Sequence, residues 1–116
     1  MTFGEYLRQR RETLQVRDKL YSLRQTAFRI GVEPAYLSKI ERGEVPPPSE
    51  ATIYRLAADL GEDSDMLLAM GGKVSRDLQE IIQQRPQLFA ELIRQLKDVP
   101  EAAVLRIVRE VRDGNW

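Results

Sequence analysis

Between Ser22 and Gly43 the sequence leaves the backbone little choice. Ser22 is a good N-cap, because its side-chain oxygen can accept from the open N–H groups of a following helix. That helix runs from Leu23 to about Ile30, and Gly31 ends it where the backbone needs a positive φ. Glu33-Pro34 opens a second helix, with proline at the first helical position where its missing N–H costs nothing. Gly43 ends this one. Two short helices joined by a tight turn must cross closely, and Ala27 supplies the small residue at the crossing. Val32, Leu37 and Ile40 lock the second helix onto the first. The positions between them are left facing outward.

The rest of the chain is also read as helical, since no stretch alternates with period two over six residues. Thr2 with Glu5 three residues later is a capping box that starts the first helix. Phe3, Tyr6, Leu7, Arg11 and Leu14 share one face of it. Residues 15–21 read equally as a helix extension or a loop. The run Glu44-Val45-Pro46-Pro47-Pro48 is a stiff linker that cannot be helical. Ser49 caps a fourth helix whose buried face is Ile53, Leu56, Ala57 and Leu60, with Gly61 as its stop. Asp63 or Ser64 caps a short fifth helix holding Met66, Leu67, Leu68 and Met70. Gly71-Gly72 is the one candidate domain boundary, dividing 1–70 from 71–116. Beyond it three more helices are expected, over about 75–84, 86–97 and 100–112, with Pro86 and Pro100 suited to helix starts.

The chain has 116 residues and contains neither Cys nor His. That removes disulfides, zinc-finger chemistry, thiol nucleophiles and histidine bases together. Net charge is zero, but it is unevenly distributed. Residues 1–43 carry nine basic and five acidic side chains, a net of +4, and the remainder balances this at −4. A basic module joined to an acidic one is the form expected of a small nucleic-acid-binding domain with a second segment of another purpose. No apolar run reaches the length of a membrane span, and the first residues carry no signal-peptide pattern. The protein is therefore expected in the cytoplasm, with no membrane association.

The residues Ala27, Gly31 and Val32, the run Tyr36-Leu37-Ser38-Lys39-Ile40-Glu41-Arg42-Gly43, then Pro48-Ser49 and Leu56-Ala57, resemble the Cro/phage-repressor-like (Xre-type) helix-turn-helix transcriptional regulators. The resemblance covers about residues 1–70. It implies an all-α, five-helix lambda-repressor-like DNA-binding domain whose third helix enters the major groove of double-stranded DNA. Carried over, the groove-facing residues are Pro34, Ala35, Ser38 and Lys39. Lys39 is the candidate donor to guanine O6 and N7, Ser38 can bond to several bases, and Ala35 offers a methyl contact. Arg24 at the start of the second helix and Arg42 at the end of the third fall near phosphate, and Gln25 is counted with the DNA-binding residues. Tyr36 is counted with the DNA-binding residues, although it and Leu37 also read as core or half-core. Arg11 and Glu41 match a buried structural ion pair of the family. There are two departures. Leu23 stands where many members carry a phosphate-binding glutamine, and the stretch from Arg11 to Ser22 is several residues longer than usual.

The second half places Leu88, Phe89, Leu92, Ile93 and Leu96 on one stripe, and Val104, Leu105, Val108 and Val111 on another. With the terminal Trp116, these are expected to form a helical homodimer interface, because a piece this short cannot bury so much apolar surface alone; the other reading is that the helices pack back on the first 70 residues and complete a single core. The expected function is a sequence-specific transcriptional regulator, a repressor that binds an inverted-repeat operator as a homodimer. The alternative is an antitoxin, or a repressor whose second half binds a protein partner such as a toxin or regulatory metallopeptidase. An enzyme is not expected. No nucleophile–base pair, metal cluster or phosphate loop is present, and no cofactor is expected.

Overall fold

The computed structural model describes residues 1–114, and these are all-helical. Trp116 lies outside them. The chain forms two compact units, one spanning Met1–Arg76 and one beginning at Asp77.

The first unit is built from five helices, each with a local reason for its limits. Helix α1 (Phe3–Gln15) starts from a reciprocal capping box. The Glu5 N–H donates to Thr2 Oγ1 at 3.2 Å, and the Thr2 N–H donates to Glu5 Oε2 at 3.0 Å. Helix α2 (Leu23–Ile30) is capped by Ser22, whose side chain accepts from the Gln25 N–H, and it ends at Gly31 with φ 76°. That left-handed backbone is open to glycine at little cost and turns the chain directly into α3. Helix α3 (Pro34–Glu41) has Pro34 in its first turn. The proline-rich linker leads to α4 (Glu50–Leu60), and Asp63 caps the short α5 (Ser64–Met70). Gly71 and Gly72 close α5, donating to the Leu67 and Ala69 carbonyls at 3.1 and 3.0 Å. The compact unit continues to Arg76, and Ser75 is buried.

One core serves all five helices. It contains Phe3 and Leu7 of α1, Ala27 and Ile30 of α2, and Leu37 and Ile40 of α3. Ile53, Leu56, Ala57 and Leu60 of α4, with Leu67 and Leu68 of α5, complete it. Tyr6, Leu14, Tyr21, Leu23, Val32, Val45 and Met70 close its margin. Ala27 is fully buried, as a close helix crossing requires.

Residues 15–21 are neither a continued helix nor a plain loop. After α1 ends, Asp18 accepts from the Leu20 N–H at 2.9 Å and caps a single 3₁₀ turn, Lys19–Tyr21.

The second unit holds α6 (Arg76–Gln84, beginning at the junction), α7 (Pro86–Leu96) and α8 (Glu101–Asp113). None of the three contains a buried residue.

Candidate nucleic-acid interface

Helix α3 presents two chemically different sides. Leu37, Ile40 and Glu41 point inward and are buried. Ala35, Ser38, Lys39 and Arg42 recur at the spacing that lines up one face of a helix. Ala35, Lys39 and Arg42 on this face are exposed, and Ser38 is half-buried. Pro34 is half-buried at the start of α3, and Tyr36 flanks the stripe at 37% exposure. The helix's only carboxylate is turned away from the stripe, so its outward face is cationic. Arg24 and Gln25 are exposed in the first turn of α2.

Glu41 is held inside by Arg11. Arg11 Nε donates to Glu41 Oε2 at 2.7 Å, and Nη2 donates to Oε1 at 2.9 Å. This is the two-pronged geometry that suits guanidinium to carboxylate. The hydrogen bonds to Glu41 raise the pKa of Arg11 above the ordinary arginine value. Arg11 Nη1 also donates to Gln15 Oε1 and to the Tyr21 carbonyl, both at 3.1 Å. One side chain thus fixes the end of α3 and the turn before α2 together.

A second arginine holds the same turn from α2. Arg29 Nε and Nη2 donate to the Asp59 carboxylate at 2.6 and 3.1 Å, and Nη1 donates to the Leu20 carbonyl. Its guanidinium lies 5.0 Å from the centre of the Tyr21 ring, within cation–π range. Tyr21 itself donates to the Asp59 carbonyl at 3.3 Å. The longer connection between α1 and α2 is therefore an anchored element that ties α1, α2 and α4. Sequence reading missed it because its partners Arg29, Arg11 and Asp59 stand on three different helices, 9, 10 and 38 residues away.

Gly4 was also invisible in the sequence. A Cβ there would stand 2.2 Å from the Ile40 carbonyl oxygen and 2.8 Å from that of Glu41. The start of α1 abuts the backbone of α3, and no side chain fits between them. On the other side of α1, Tyr6 donates to Glu62 Oε2 at 2.7 Å and Arg10 Nε lies 2.6 Å from Glu62 Oε1. The bond to Glu62, helped by desolvation, raises the Tyr6 phenol above its ordinary pKa.

Two short helices crossing at a buried alanine, a left-handed glycine turn and an outward cationic stripe are the parts of a helix-turn-helix. Residues 2–70 match the model of the helix-turn-helix domain family. The chain belongs to that family. No curated protein and no solved structure matches it. A helix-turn-helix domain points to a DNA-binding regulator. Among the described residues no helix is long and apolar enough to cross a membrane.

In the second unit, the residues read as a dimer surface divide by exposure. Leu88, Leu92, Ile93, Leu105, Val108 and Val111 are between 46% and 58% exposed. Phe89, Leu96 and Val104 are half-buried. Ile107, beside the α8 stripe, and Leu78 and Ile81 of α6 are also exposed, at 37–41%.

Proposed function

We propose that the protein is a sequence-specific transcriptional regulator of the Xre type, a cytoplasmic repressor without enzymatic activity. In this reading it binds an inverted-repeat operator as a homodimer. The observation that carries the reading is the outward stripe of α3. Lys39 and Arg42 stand there beside Ala35 and the Ser38 hydroxyl, while Glu41 is locked inside by Arg11. Lys39 then donates to guanine in the major groove, Ser38 and Ala35 meet neighbouring base edges, and Pro34 and Tyr36 border the groove. Arg24, Gln25 and Arg42 hold the flanking phosphates and set the register.

Assembly through the second unit is supported by the absence of a buried side chain in α6, α7 and α8. Nine of its apolar side chains are 37–58% exposed, and each would contribute on the order of 1 kcal/mol when covered. A second copy covers them symmetrically and brings two reading heads to one duplex.

Selection from random duplexes followed by anisotropy titration tests both parts. The selected site should be an inverted repeat. Lys39→Ala should lose about 1–3 kcal/mol on that site and relax preference at one base pair in each half. Equal affinity for wild type and Lys39→Ala removes Lys39 from the readout. Light scattering should give twice the 13.4 kDa chain mass, and Leu92→Asp should give a monomer that binds the site poorly. A wild-type monomer that still protects a symmetric site refutes the dimer and leaves the second unit to another partner.

A further inference from the structure

Where α1, α2 and α3 meet, a small polar cleft of about 150 Å³ is lined by Arg8, Arg11, Leu23, Ser38, Glu41 and Arg42. Three guanidinium groups face one carboxylate, so the lining carries a net charge of +2. Arg11 and Glu41 are spent on each other, which leaves Arg8 and Arg42 as the working charges. Each touches a carboxylate only through an exposed pair, Arg8 with Glu12 at 2.7 Å and Arg42 with Glu44 at 3.3 Å. Such pairs are screened by solvent and release their partners readily. Arg42 Nε also leans on the Ser38 carbonyl at 3.3 Å, holding its side chain along α3. The Leu23 side chain contributes no donor, but Leu23 is the first residue of α2, so the positive end of that helix adds to the field.

The geometry points to this cleft as the seat of one DNA-backbone phosphate, gripped between Arg8 of α1 and Arg42 of α3. The inference rests on the proposed DNA-binding reading and adds α1 to it. Guanidinium forks match phosphate oxygens better than any other side chain does. Ser38 belongs both to the cleft and to the outward stripe of α3, so a strand held here lies beside the groove that α3 enters. A cation is repelled by the lining charge, and an apolar ligand finds one leucine. Arg8 thereby does for the backbone what the apolar Leu23 cannot.

The test is the salt dependence of duplex binding by the full chain, between about 50 and 200 mM salt. Arg8→Gln should weaken binding to selected and random duplexes alike, roughly tenfold at low salt. It should also flatten the slope of log K against log salt by about 0.9. Arg8→Lys should keep the slope, and Glu12→Gln, which frees Arg8, should tighten both complexes. Because the Arg8–Glu12 pair is exposed, all three variants should melt like wild type. If wild type binds no duplex at all, the DNA-binding reading itself fails. If it binds and Arg8→Gln melts normally with an unchanged slope, only the phosphate seat is overturned. Saturable binding of inorganic phosphate at Arg8, with the DNA slope unchanged, assigns the cleft to a free anion and likewise overturns it.

Discussion

Glu41→Ala is the most telling substitution in the first unit. It deletes the acceptor of two short bonds from Arg11, in a pair whose side chains are 8% and 4% exposed. Removing one partner from such a pair costs about 3–5 kcal/mol, because the other charge stays buried without compensation. Here Arg11 keeps Gln15 Oε1 and the Tyr21 carbonyl, both at 3.1 Å, so the loss should fall near the lower limit, about 3 kcal/mol. In a unit of this size each kcal/mol moves the melting temperature by roughly 4–8 °C, which gives a fall of at least about 12 °C. Circular dichroism at 222 nm, with the full chain at one fixed concentration, measures it. The double variant Arg11→Met/Glu41→Leu removes both charges and should recover most of the loss. A fall below about 5 °C for Glu41→Ala, close to 1 kcal/mol, would refute the reasoning. So would a double variant no more stable than the single one.

Gly4→Ala should destabilise by about 1–3 kcal/mol in denaturant unfolding, since the new methyl meets fixed backbone oxygens of α3. The sign alone is informative, because alanine for glycine inside a helix ordinarily stabilises by about 0.5–1 kcal/mol. Tyr6 gives a pH signature. Its pKa is raised above 10.0 in the folded chain, so its contribution is complete below the unfolded value and lost as pH rises through the folded one. The stability gap between wild type and Tyr6→Phe should therefore be constant below the ordinary tyrosine pKa of about 10 and narrow as pH rises above it in a series of thermal melts.

Helix limits were legible wherever the signal is local. Thr2 with Glu5, Ser22, Gly31, Pro34, Ser49 and Gly61 act within one turn of themselves, so the sequence carries the whole cause. The outward stripe of α3 follows from the helical period once Leu37 and Ile40 are placed inside. What was not legible depends on distant partners. Asp18 to Tyr21 look like an indifferent loop until Asp59 and Arg29 close on them. Gly4 looks like an ordinary first-turn glycine, because its reason is the α3 backbone more than thirty residues away. Arg8 has only Glu12, one turn on, to mark it locally, and its place in the cleft depends on three helices converging.

The first helix also bears on how this domain can be controlled. It touches α3 through Gly4 and Arg11, and it reaches the turn before α5 through Tyr6 and Arg10. Detaching α3 from α1 must therefore break the buried Arg11–Glu41 pair and reopen the backbone packing at Gly4, which sets it among the costlier openings of the unit. For the proposed homodimer, binding is tied by mass action to how many copies of the chain are present, so protein concentration would set the occupancy of an inverted-repeat site.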